Sequence, residues 1–274
     1  MALRNISRLF YKDYYEGIDF SYVLNNGEGP DVNSVKKIKK LNEEIEKSEL
    51  KTIPSLSCCN CSFSTKILYP GLVTGTGLTH DLKMVEGGYN LGMHFDYTFG
   101  MPVVYGSSVK GVLRQYFREF CRDHKDGKTT RESVILSEED IEDLYRAIFN
   151  GEKRDGSMGK DGKPKYVNIS IYERDIFFDA VIIRTYVDRR GQKHLLENDS
   201  ITPHTKGPLK NPIPIAMLKI APGCILEFRF LLHNSVINGR TYSANFKKRI
   251  FQEILTTVGV GAKTNVGYGQ LELL

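Results

Sequence analysis

Gly259-Val260-Gly261-Ala262-Lys263-Thr264-Asn265-Val266-Gly267-Tyr268-Gly269-Gln270 stands just before Leu271-Glu272-Leu273-Leu274. On its N-terminal side, Phe246, Ile250, Ile254, Leu255 and Val258 mark one face of a helix. On its C-terminal side the apolar run reads as a closing strand. Glycine tolerates positive φ and lets another backbone come close. A turn this rich in glycine leaves amide N–H groups free, and such nests bind anions. Lys263 adds a positive charge. The stretch therefore reads as a loop shaped to lie against a phosphate backbone. The plainer reading is a tight helix-to-strand turn with no ligand. Two Gly-x-Gly pairs around Lys263-Thr264-Asn265 exceed what a turn needs, so the ligand reading leads.

A second such place lies mid-chain, in Gly106-Ser107-Ser108-Val109-Lys110-Gly111. Ser107 or Ser108 suits a helix cap. Val109, Val112, Leu113, Tyr116, Phe117, Phe120 and Cys121 then keep the spacing of one buried helical face. Lys110, Arg114, Arg118 and Arg122 recur every fourth residue and make a cationic stripe beside it. Free N–H groups at a helix start suit a phosphate. Lys110 and Arg114 are the cations expected to touch one, as positioning contacts rather than base readers. Arg118 and Arg122 fit a solvated face equally well.

The rest of the chain reads as strands, helix, helix, strands, hairpin, helix, strand. This suits an α+β fold, an antiparallel sheet with helices on one face and long loops, in a single domain over 1–274. Residues 1–55 read as a peripheral extension. Its helix buries Val35, Ile38, Leu41 and Ile45, and its early lysines oppose the helix dipole. Asn25 to Pro30 is a turn cluster. A glycine-rich stretch from Gly71 to Gly106 lacks helical periodicity, and such lengths are usually functional or disordered. Ser137-Glu138-Glu139-Asp140 resembles a capping box. Residues 151–165, rich in Gly, Lys and Asp, read as a mobile loop. Residues 188–212 read as an extended polar stretch. Strands Ile213 to Ile220 and Cys224 to Leu232 flank the turn Ala221-Pro222-Gly223 as a hairpin.

Bulk numbers narrow the class. The chain has 274 residues, 41% of them hydrophobic, and a net charge of +5. That permits a polyanionic partner without demanding one. No apolar run approaches the ~20 residues of a membrane span, and the N-terminus has no apolar signal region. A cytoplasmic location is expected. Five cysteines without a secretion signal argue against a disulfide framework. Cys58-Cys59-Asn60-Cys61 lacks zinc-site spacing, although His80 and His94 lie downstream. Phosphate-loop, zinc-protease and serine-hydrolase motifs are missing, so no cofactor or metal is indicated.

Gly92 to Gly111, with Pro102 ahead of Gly106-Ser107-Ser108-Val109-Lys110-Gly111, resembles a signature of the RAMP superfamily, the RNA-binding subunits of CRISPR effector complexes. The loop from Gly259 to Gly269 resembles that superfamily's glycine-rich loop. Asp199-Ser200-Ile201-Thr202-Pro203-His204 and Asn211-Pro212-Ile213-Pro214-Ile215 are similar to one branch, the sixth subunit of type III-B, or Cmr, complexes. The resemblance implies a ferredoxin-like (RRM-like) core with inserted loops. It implies a non-catalytic role in antiviral defense, with the CRISPR guide RNA held toward its 3′ end and the subunit filament capped. Guide RNA, target RNA and other Cmr subunits, a backbone subunit and a second end subunit among them, are the implied partners.

The RNA-binding set expected from these readings is Ser107, Ser108, Lys110, Arg114, Gly259, Gly261, Lys263, Thr264, Asn265, Gly267 and Tyr268. Tyr268 is the candidate for stacking on a base, with core packing as its other reading. His80-Asp81, Glu86 and His204 carry the competing hypothesis, a metal-independent endoribonuclease with His80 or His204 as base. A purely structural end cap is a third.

Overall fold

Cys61-Ser62-Phe63-Ser64-Thr65-Lys66-Ile67 alternates inward and outward side chains, the period of a strand with one buried face. The computed structural model describes residues 5–18, 32–80, 87–123, 136–202 and 214–274, and there this segment is strand β1 (Cys61–Ile67). The strands after it are β2 (Val103–Val104), β3 (Glu152–Met158), β4 (Pro164–Asn168), β5 (Ile176–Phe177), β6 (Ala180–Arg184) and β7 (Tyr186–Val187). Then come β8 (Lys193–His194), β9 (Leu196–Ile201), β10 (Ile215–Ile220), β11 (Ile225–Leu231), β12 (Ser235–Ile237), β13 (Arg240–Tyr242) and β14 (Leu271–Leu273). The helices are α1 (Ile6–Arg8), α2 (Val32–Glu46), α3 (Gly106–Asp123), α4 (Glu138–Tyr145) and α5 (Ala244–Val258).

The main sheet runs β14-β1-β11-β6-β2, with β5 also paired to β11. Every pairing in it is antiparallel. The register sets Phe63 opposite Phe228 and Thr65 opposite Leu226. Helix α3 follows β1 in the chain, and α5 joins β11 to β14. The two helices pack on each other and on this sheet. Phe251 of α5 sits 5.5 Å from Phe230 and 5.8 Å from Phe177, and Phe149 stacks 5.8 Å from Phe177. Buried rings of this kind carry most of the core's hydrophobic stabilisation. The fold is thus α+β with an antiparallel sheet, as the sequence indicates.

Four local expectations need correction. The segment 151–165 is not a loop: it is the greater part of the β3–β4 hairpin. Its residues are largely exposed, so no apolar alternation marks them as strands. The stretch from 188 contains β8 and β9 rather than one extended run. Strands β10 and β11 flank the turn as expected but do not pair. β10 joins β9, and β11 enters the main sheet. The N-terminal segment is not peripheral either. Phe10, Tyr14, Ile38 and Ile45 are fully buried in the common core, and the Tyr14 hydroxyl donates to Asn42 at 2.6 Å. Aromatic packing there outweighs the poor dipole match of α2. The turn cluster at 25–30 lies outside the described residues.

Candidate nucleic-acid interface

The glycine loop begins where α5 stops, at Gly259, whose φ is +74°. It folds back along residues 71–73. Gly269 N–H donates to the Gly71 carbonyl at 2.8 Å, Ala262 N–H to Val73 at 2.8 Å, and Val260 N–H to Gly269 at 3.0 Å. The amides of Val266, Gly267 and Tyr268 donate to Thr264 or Lys263 carbonyls within the loop. The expectation of a nest of free amides therefore fails at these six positions. The glycines serve close approach instead. A Cβ on Gly261 would overlap the Val73 carbonyl, and one on Gly269 would overlap the Val260 carbonyl. Both positions also have positive φ. Lys263 takes the left-handed conformation at φ 62° and introduces a short turn over Thr264–Val266. Its ammonium makes no ion pair among the described residues. Asn265 is exposed and Thr264 half-buried.

The start of α3 is likewise committed. The Asp179 carboxylate, 73 residues away in sequence, accepts the Gly106 N–H at 2.7 Å. A helix N-terminus favours an anion, and here the chain supplies its own. The helix starts at Gly106, so Ser107 and Ser108 lie in its first turn rather than at the cap. Ser107 is exposed. The Lys110 ammonium lies 5.6 Å from the Phe177 ring centre. Burial, with Arg114 and Arg174 nearby, pushes the Lys110 amine below the usual lysine range against the pull of Asp175.

The arginine stripe faces helix α4. The Ser137 hydroxyl caps α4, accepting Asp140 N–H at 3.0 Å, as the capping box indicates. Arg114 Nε donates to the Tyr145 hydroxyl at 2.9 Å, Arg118 to Glu142 at 2.8 Å, and Arg122 to Glu138 at 3.0 Å. The Arg118 guanidinium also lies 3.3 Å over the Tyr145 ring. These side chains zip two helices together. They are not an open phosphate track.

Tyr268 is buried beside Val73 and Met217, and its hydroxyl donates to Asp199 at 2.9 Å. Lys219 donates to the same carboxylate oxygen at 2.8 Å. Burial, then the Asp199 bond, pushes the Tyr268 hydroxyl up to about 12. Burial would raise Asp199, but Lys219, the Ser200 amide and Tyr268 hold it below the usual carboxylate range. The ring is therefore core, and base stacking is not open to it.

The two turns do meet. A groove of about 370 Å³ is lined by residues Thr74–Leu78, His94 and Val104, by Ser108 and Val112 of α3, and by Gly261 and Ala262 of the loop. Ser108 and Val112 share one helical face and Lys110 and Arg114 another, so the groove receives the serine without the cations. His94 stacks on Tyr105 with ring centres 4.2 Å apart, and its backbone N–H donates to the Thr74 hydroxyl at 3.3 Å. Sequence reasoning missed His94, Thr74 and Thr76 as groove residues. The only signal was their place in the glycine-rich stretch.

The histidines named as bases divide. His80 is fully buried, with Nδ1 2.9 Å from the Tyr89 carbonyl and Nε2 2.7 Å from the Phe10 carbonyl. Both nitrogens face acceptors, so neither offers a lone pair to a substrate. Asp81, Glu86 and His204 lie outside the described residues, as do Pro203 and residues 205–213. No cluster of three His, Cys, Asp or Glu suited to a metal exists among the described residues. Cys61 is buried in β1, and the Cys59 thiol donates to the Cys61 carbonyl.

The sequence profile of the RAMP superfamily matches residues 65–272, which takes in both turns and most of the main sheet. The chain belongs to the RAMP superfamily. No curated protein matches it. Many solved structures resemble this RAMP chain, among them three that match over 78% of its length. One is the cryo-EM structure of the type III-B Cmr-beta bound to cognate target RNA, at 20% identity and TM-score 0.45, with 57% of that chain covered. This chain thus spans a little over half of that relative's length. Another is Cmr6 from Pyrococcus furiosus, at 18% identity and TM-score 0.34, with 97% of that chain covered. The third is a type IV-B CRISPR complex, at 14% identity and TM-score 0.42, with 90% of that chain covered. No helix among the described residues of this RAMP protein is long and apolar enough to cross a membrane.

Proposed function

We propose that this RAMP protein is a non-catalytic RNA-binding subunit of a type III-B CRISPR effector complex, the sixth subunit of the Cmr assembly. In this reading it holds the 3′ part of the guide RNA, caps the subunit filament, and meets a backbone subunit and a second end subunit. The observation that carries the reading is the convergence of its two signature turns on one groove, Ser108 from one side and Gly261-Ala262 from the other. A strand order of β14-β1-β11-β6, with a helix after β1 and another after β11, supports a ferredoxin-like core. Lys263 at the loop tip supplies charge for a sugar–phosphate strand without reading sequence. The sealed ring of His80 supports the non-catalytic half of the proposal.

The test is to incubate the purified chain with labelled single-stranded repeat RNA in EDTA, across a salt series. Binding that weakens with salt, with the RNA left intact, is the expected result. Site-specific cutting would overturn the non-catalytic role. Absence of binding, with crosslinks only to neighbouring subunits in the assembled complex, would favour a structural end cap.

A further inference from the structure

The groove beside the glycine loop has the wrong chemistry for a phosphate. Thr74, Thr76 and Ser108 line it, with apolar Leu78 and Val112 and with His94, and no lysine or arginine among the described residues does so. Uncharged walls with a few polar edges suit a base and its ribose. Single-stranded RNA is recognised by splaying such groups out of the strand. The volume, about 370 Å³, lies near the lower end of the ~300–1,000 Å³ common for ligand clefts.

His94 provides the polar handle. Its Nδ1 is buried with no hydrogen-bond partner. Orphaned buried N–H groups are rarer than orphaned acceptors, so the proton is assigned to Nε2. Nε2 makes no hydrogen bond among the described residues and is not one of the buried, unpartnered atoms, and His94 lines the groove. Stacking on Tyr105 fixes the ring plane. We propose that the groove receives one unstacked nucleoside of the bound RNA, with His94 Nε2 donating to its ribose or base edge while the phosphates stay outside, on Lys263. This rests on the RNA-binding reading above.

The salt dependence of binding separates the two kinds of contact. The full chain is titrated into fluorescent single-stranded oligouridine over a salt series, alongside an abasic strand of equal length. His94→Ala tests the handle. Gly77→Phe tests the seat, because a Cβ on Gly77, itself a groove residue, meets no atom within 4 Å, so the ring extends from open space. Each variant should weaken RNA binding about five- to tenfold, the scale of one stacked base. Their log–log salt slopes should stay parallel to wild type. Lys263→Ala should reduce the slope by about 0.7, one single-strand phosphate contact. The abasic strand should bind wild type and Gly77→Phe alike. If both groove variants bind RNA as wild type does, the nucleoside seat is wrong and the RNA-binding reading stands. A reduced slope for His94→Ala would make the groove a phosphate site and also overturn the proposal. If wild type binds no RNA, the reading fails and the seat falls with it.

Discussion

The glycine loop and the arginine stripe of α3 look alike in sequence, because each gathers groups that attract phosphate. In the structure they part. The loop gives most of its amides to its own backbone and to residues 71–73, yet its Gly261-Ala262 edge borders an open groove. The stripe spends Arg114, Arg118 and Arg122 on Tyr145, Glu142 and Glu138 of α4. Polar groups count as a binding site only after their partners inside the molecule are subtracted. By that measure the loop stays a candidate site through its shape, and the stripe is a helix–helix joint.

This contrast can be broken by four substitutions, taken from the largest expected effect to the smallest. Gly269→Ala puts a Cβ onto the Val260 carbonyl at a positive φ. It should cost on the order of 3 kcal/mol by denaturant titration. A near-neutral result would mean that the loop does not need its close packing. Asp199→Asn leaves Lys219 and Tyr268 without their carboxylate and should cost about 2 kcal/mol. Because the folded Asp199 carboxyl is held low, its contribution is present above the unfolded value near 4 and is lost as pH falls through the folded one. Wild-type stability should therefore fall on acidification below about pH 4, and the Asn variant should lack that component.

Arg118→Ala removes an ion pair and a ring contact that are about one-third exposed. It should cost about 1 kcal/mol of stability and leave RNA affinity unchanged. A drop in RNA affinity would restore the stripe as an interface. Lys263→Ala should do the reverse. Melting should barely move, within about 0.5 kcal/mol, while RNA binding becomes less sensitive to salt.

How much was legible follows the reach of each interaction. The α3 and α5 faces, the Ser137 cap and the turn at Gly259 are local patterns, and they read correctly. The membership in a family read correctly from two short motifs. Asp179 at the start of α3 did not, because its partner lies 73 residues away. Nothing local in the sequence says that α4 opposes the arginines with Glu138 and Glu142. The β3–β4 hairpin hides because its residues are mostly exposed and do not alternate. Strands β10 and β11 misread as a hairpin because a tight turn promises pairing between neighbours, whereas β10 finds β9 and β11 finds β1. Tyr268 had a stacking and a core reading at sequence level, and only the Asp199 bond decides between them.

The measurement that bears most directly on the central claim is photocrosslinking. Guide RNA carrying 4-thiouridine is bound to the protein, irradiated, and the attached peptides are mapped by mass spectrometry. Crosslinks should fall on the groove, in peptides holding Leu78, His94, Ser108 and Ala262. Crosslinks concentrated on the α3–α4 arginine face, with none at the groove, would contradict the account.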